Sequence, residues 1–214
     1  MSALHSETRQ KLIAVASRLF AAESVSGVSI RRVTREAGVG ASAVHYHFSD
    51  KDSLLDEVIA REGGRVLAEI VQRAHRAQAL DERPDPQRIV ETIAVPYFEL
   101  LDRSPVEGRE WLSIIAQLTQ VSDERVRRYS EAATAAIRSL LASAYPDTPS
   151  QLRARAWSMT VNSLLAALGR IATERPSGSP SIEERLMLTT FLASGLERVM
   201  GNVRPFALDV ETAQ

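Results

Sequence analysis

The chain has 214 residues, 44% hydrophobic and 25% charged, with a formal net charge of −1 and no cysteine. That composition allows a sizeable core and argues against global disorder, while the missing thiols exclude disulfides, thiolate metal sites and a cysteine nucleophile. The near-neutral charge excludes a general polyanion binder, so any nucleic-acid contact must come from a local surface.

The first helix is expected from about Glu7 to Glu23, with Leu12, Ile13, Ala16, Leu19 and Phe20 recurring on one face, Ser6 as N-cap and Gly27 in the following loop. A short helix follows from about Ile30 to Ala37, capped by Ser29 and ended by Gly38, which tolerates positive φ. After Gly38-Val39-Gly40 comes another short helix, Ala41 to about Phe48. Ser49 and Asp52 read as a capping box opening a long helix that reaches about Gln78. Gly63-Gly64 within it reads either as a close packing contact or as a flexible joint between two domains.

The Asp81–Pro86 stretch, polar and carrying two prolines, separates these helices from five later ones: Gln87–Asp102, Gly108–Thr119, Asp123–Ala144, Pro149–Thr173 and Ser181–Gly201. Pro96 predicts a kink or a break in the first of them. No run is strand-like, and no apolar run approaches the roughly 18 residues of a membrane span. Nor does Met1–Ser6 look like a secretory signal, so a soluble cytoplasmic protein is the expectation. The fold class is all-α, about nine helices. The boundaries are an N-terminal domain at 1–50, a helical domain at 51–204 and a tail at 205–214.

Function is concentrated between Ser29 and Lys51, where two short helices joined by a glycine-containing turn make a helix-turn-helix. Val33, Ala37, Val39, Val44 and Phe48 would pack this pair on Leu12, Ala16 and Phe20. Arg31, Arg32, Arg35 and Lys51 face only Glu36 and Asp50, a local excess of two positive charges. His45 and His47 lie at i and i+2, which point apart on a helix, so they are no metal pair. No catalytic group, metal site or cofactor motif stands out.

Ala37-Gly38-Val39, then Val44-His45-Tyr46-His47-Phe48, Lys51 and Leu54-Leu55 resemble the signature of TetR-type (tetracycline-repressor-like) regulators over about Glu7 to Ile59. The resemblance implies a homodimer that binds double-stranded DNA at a palindromic operator and a small-molecule effector in its helical core. By position, Ser29 and Arg31 would contact phosphate, Ala41, Ser42 and Ala43 would face base edges, His45, Tyr46 and His47 would reach backbone and neighbouring bases, and Lys51 would bind a phosphate. Similar proteins often carry Tyr and Thr where this chain has His45 and Ala43, which leaves direct readout to Ser42 and His45, with Arg31 beside them. The last two long helices, rich in Ala and Ser, would pair with their symmetry mates.

In the second domain Tyr97, Trp111, Tyr129 and Trp157 lie on four helices and either fill the core or wall a ligand cavity with Leu101, Ile115, Leu118, Val161 and Leu165. Arg109, Gln117, Thr160 and Asn162 are the polar candidates to orient a hydrophobic or aromatic effector. The leading expectation is a repressor released by that effector. The alternatives are an effector-dependent activator, a helical binding module without DNA binding, and an all-helical enzyme, for which no motif speaks.

Overall fold

The computed structural model describes residues 2–40, 44, 46–80, 84–174 and 179–201, and all secondary structure among them is helical. Eight helices are delimited: α1 (Ser2–Glu23), α2 (Ile30–Ala37), α3 (Lys51–Ala79), α4 (Pro86–Arg103), α5 (Pro105–Gln120), α6 (Glu124–Ala144), α7 (Ser150–Glu174) and α8 (Ile182–Gly201). Between α2 and α3 the chain is helical at Val44, Tyr46 and His47. The expected ninth helix falls there; its Ala41, Ser42, Ala43 and His45 lie outside the described residues, as does the expected tail.

Helix α2 forms as its sequence dictates. The Ser29 hydroxyl accepts the Arg32 N–H at 3.3 Å. At the other end Gly38 adopts φ 62° and ψ 34°, donating to the Arg35 carbonyl, while Val39 donates to Thr34. This double closure of a helix end needs a left-handed residue, which glycine supplies without a Cβ penalty. Ser29→Ala is expected to cost about 1 kcal/mol, lowering the melting temperature by about 2–4 °C in circular dichroism. An unchanged melting curve would show that this cap contributes nothing.

Four local expectations are corrected. Helix α1 begins at Ser2, so Ser6 lies within it and does not cap it. The capping box of α3 sits one residue later than expected, with Asp50 as cap: its carboxylate accepts the Ser53 N–H at 2.7 Å, and the Ser53 hydroxyl accepts the Asp50 N–H at 3.2 Å. That hydrogen bond to Ser53 holds the Asp50 carboxyl below the usual carboxylate range. Pro96 does not break α4, which runs unbroken through it with Pro96 buried against the core. Tertiary packing outweighs the one backbone hydrogen bond that proline forfeits. Finally α5 starts at Pro105, because a proline at the first helical turn loses nothing its N–H would have gained.

One contiguous hydrophobic cluster runs through the molecule. Leu12, Ala16 and Phe20 of α1 are fully buried together with Val33, Ala37 and Val44, and the cluster continues through Leu54, Leu55 and Ile59 into Ile89, Leu100, Leu112 and Ile137. Each large side chain so buried contributes about 1.5–3 kcal/mol. Helix α3 is the common element: it packs on α1, α4, α5 and α6. No helix among the described residues is long and apolar enough to cross a membrane.

Candidate nucleic-acid interface

The N-terminal helices present one polar surface away from that core. Arg31 and Arg35 are exposed on α2, and neither pairs with an acidic side chain among the described residues. Arg32 belongs to the scaffold instead, its guanidinium 2.6 Å from Glu23 on α1. The local cationic surface therefore rests on Arg31, Arg35 and Lys51.

Lys51 opens α3. Its ammonium lies 5.8 Å from the centre of the Phe20 ring and donates to the Ser26 carbonyl at 3.5 Å. The aromatic face and the carbonyl hold the stem in place, and an ammonium with three donors keeps capacity for a phosphate oxygen. Ser29 is exposed at the N-terminus of α2, where backbone N–H groups favour an anion.

Val44 and Phe48 are buried at 0% and 4% exposure and fix the intervening segment to the cluster. Tyr46 is 71% exposed, its ring meeting His47 edge-on at 5.0 Å. His47 is half-buried. Of the residues expected to meet DNA, Ser29, Arg31 and Tyr46 are thus exposed and His47 and Lys51 half-buried; Ala41, Ser42, Ala43 and His45 lie outside the described residues. Among the described residues no group of three His, Asp or Glu could hold a metal ion.

The start of α3 is tied to α6. Arg125 reaches Asp52 at 2.5 Å, Asp56 at 3.2 Å and Asp123 at 2.9 Å, and Arg128 pairs with Asp56 at 3.1 Å. The Tyr129 hydroxyl donates to the Asp56 carbonyl at 3.0 Å. Tyr129, read as a cavity wall, is in fact half-buried and part of this junction.

Apart from the half-buried Val161, the other cavity candidates are buried, and only some meet a void. Tyr97, Trp157 and Val161 line a cavity of about 60 Å³ with residues of α3, α4 and α6, including Ile70, Ile93 and Ile137. That volume holds about two waters, against the roughly 300 Å³ or more of a typical ligand pocket. Burial pushes the Tyr97 hydroxyl up to about 12. Leu101, Trp111, Ile115, Leu118 and Leu165 are core residues. The polar candidates do not converge there. Thr160 donates to the Ala156 carbonyl, Asn162 is exposed, and Arg109 donates to the Pro105 carbonyl. Gln117 turns to α1.

A larger concavity, about 570 Å³, is an open groove between α1 and α5, lined by Arg18, Arg109, Glu110, Ser113 and Gln117 among others. Partial burial raises the Glu110 carboxyl above its usual range. Sequence reasoning missed this groove, because its walls are brought together only by the packing of α1 on α5.

Residues 12–58 match the family described as bacterial regulatory proteins, tetR family. Over 52 residues the chain is 42% identical to the HTH-type transcriptional regulator AcrR of Shigella flexneri, a match covering 24% of each protein. Over 66 residues it is 33% identical to the HTH-type transcriptional regulator SAB2452 of Staphylococcus aureus, covering 31% of this chain and 36% of that protein. The matches therefore span about a quarter to a third of these curated relatives' length. Among solved structures, the Mycobacterium smegmatis AmtR structure matches with TM-score 0.58 at 20% identity, covering 93% of this chain and 88% of that one. The Bacillus halodurans fatty acid degradation regulator FadR matches with TM-score 0.59 at 13% identity, covering 92% and 96%. These likenesses show that the fold is shared over about nine-tenths of the chain.

Proposed function

We propose that this chain, whose residues 12–58 match the tetR family of bacterial regulatory proteins, is a homodimeric, cytoplasmic transcriptional repressor that a small apolar or aromatic effector releases from a palindromic operator. Residues 1–50 act as the reading head and 51–204 as the effector and dimerisation domain. The observation that carries the reading is the capped α2 and its left-handed Gly38 turn, mounted on a fully buried Leu12-Ala16-Phe20 face. Beside it Arg31 and Tyr46 are exposed and Lys51 is half-buried. A short helix of this kind is too small to be stable alone and is useful because it is presented rigidly.

Two chains are needed because one short helix reads too few base pairs; a two-fold dimer reads a palindrome with half-sites about 34–36 Å apart. The effector acts by linkage: it binds better to the arrangement that does not span both half-sites, and DNA weakens effector binding by the same factor. The cavity beside Tyr97 and Trp157 is the seed of the effector site, and at about 60 Å³ it must widen by parting α3, α4, α6 and α7.

Selection from random duplexes is the test, with wild type beside the Arg31→Ala, Tyr46→Ala, Lys51→Ala variant. Wild type is expected to enrich one palindromic motif, and the variant to lose at least about 100-fold in affinity for it, since contacts to phosphate and base edges are each worth about 1–3 kcal/mol. Failure of both proteins to enrich any sequence at low salt would overturn the DNA-binding reading.

A further inference from the structure

Helix α1 ends without a glycine cap. The chain leaves it through Ser24 at φ 101°, a left-handed conformation that a serine adopts only under constraint. The backbone groups at this end find partners on another helix. The Gln117 side-chain amide of α5 donates to the Phe20 carbonyl at 3.1 Å, and its oxygen accepts the Val25 N–H at 3.0 Å. One turn earlier on α5, the Ser113 hydroxyl donates to the Ala21 carbonyl at 3.2 Å. The Ser113 hydroxyl also lies 3.4 Å from the Gln117 amide nitrogen, bracing it.

We propose that Gln117 is a positioning residue that sets the pitch of the DNA-reading head relative to the dimerisation core, and so the half-site spacing the dimer accepts. This rests on the dimeric DNA-binding reading above. Gln117 acts through the end of α1 and the loop that follows it.

Two features set this contact apart from ordinary packing. All three partners are main-chain atoms, so the bonds fix where the helix end itself lies; a side-chain ion pair would leave it several rotamers of slack. The planar amide also bonds at both ends, with donor and acceptor in one plane, which restrains rotation as well as separation. Phe20 and Lys51 are in contact, and Lys51 bonds Ser26 in the same loop, so the end of α1 connects directly to the phosphate-facing side. A palindrome read by two heads is sensitive to such a restraint: one base step is about 3.4 Å, and a head displaced by that much reads the wrong register.

The experiment uses the full chain and the palindrome selected by wild type. Gln117→Leu, which keeps bulk and loses both polar ends, is compared with wild type on three duplex sets: the palindrome, an isolated half-site, and palindromes with one base pair added or removed at the centre. Fluorescence anisotropy reads affinity, and circular dichroism confirms folding. The expected result is about a tenfold loss on the palindrome, a half-site affinity unchanged within twofold, and a smaller penalty for altered spacing than wild type shows.

Equal losses on palindrome and half-site would mean that Gln117 serves only the folding of the head, and would overturn the proposal. So would unchanged affinity and spacing preference. Gln117→Glu keeps the acceptor for Val25 but places a carboxylate against the Phe20 carbonyl, and is expected to relax spacing in the same direction. If that variant keeps wild-type spacing, the bidentate bond is not what sets it. A wild type that selects no palindrome would instead overturn the DNA-binding reading, and this inference with it.

Discussion

Phe191→Asp is expected to dissociate the proposed dimer and reduce operator affinity by at least about 100-fold while the chain stays folded. Among the described residues, six of the ten exposed large hydrophobic side chains lie on the last two helices: Met159, Ile182, Leu186, Met187, Phe191 and Val199. Phe191 is 73% exposed and Met187, one turn earlier, 67%. Small residues flank them, with exposed Ser163 and Ala166 on α7 and exposed Ser194 and Gly195 on α8. An apolar stripe of this kind on two adjacent, packed helices fits a second copy of the same surface.

An aspartate at its centre would be desolvated without a partner in the dimer, at a cost of several kcal/mol, yet stays in water in the monomer. The monomer keeps one reading head but loses the effective concentration, of millimolar order, that the linked second head contributes. Sedimentation equilibrium reads the oligomeric state and anisotropy reads DNA affinity. A variant that remains dimeric with full operator affinity would place the dimer contact elsewhere.

The elements that were legible in the sequence are those whose causes are local. The bounds of α2 follow from Ser29 and Gly38 alone, and the burial of Val44 and Phe48 from their spacing after the turn. The capping box was readable only to within a residue, because Ser49, Asp50, Asp52 and Ser53 all carry cap-forming side chains and the backbone chose Asp50. Pro96 shows the limit of local reasoning, since the packing that carries α4 through it comes from distant helices.

The site divides the same way. The exposure of Arg31 was legible from residue type and register, whereas the contacts of Gln117 and Tyr129 were not. Gln117 was read as a ligand-orienting polar group, but its partners lie 92 and 97 residues away. Tyr129 was read as a cavity wall, but its hydroxyl bonds a backbone atom 73 residues away. Polar side chains carry no periodic signal of what they face, so the hydrophobic pattern that places α5 and α6 is silent about which main-chain atoms they will meet.

Gly63→Ala and Gly64→Ala are expected to move stability in opposite directions, although the two residues are neighbours on one unbroken helix. In a helix interior alanine is favoured over glycine by about 1 kcal/mol, through lower backbone entropy in the unfolded chain. At Gly64 nothing lies within 4 Å of an added Cβ, so that gain is realised, and the melting temperature is expected to rise by about 2–4 °C.

At Gly63 the added Cβ meets Trp111 Cζ2 at 2.8 Å, with Cε2 and Nε1 at 3.2 Å. The ring has little room to retreat: Trp111 is 3% exposed, and its indole N–H donates to the Ile59 carbonyl at 2.9 Å. Overpacking costs about 1–3 kcal/mol, and losing a buried hydrogen bond adds about 1–3 more, which together exceed the helical gain. Net destabilisation of about 1–5 kcal/mol is expected for Gly63→Ala.

Trp111→Phe removes the atoms that clash, so the double variant should lose less than the sum of the two single losses. This pairing assigns Gly63 to the close contact and removes the main reason for reading Gly63-Gly64 as a flexible joint. A joint would instead show itself as altered operator affinity and effector response in both glycine variants, with little change in unfolding. Chemical denaturation of the four proteins decides between them: if Gly63→Ala stabilises as much as Gly64→Ala does, the indole does not need the space that glycine leaves.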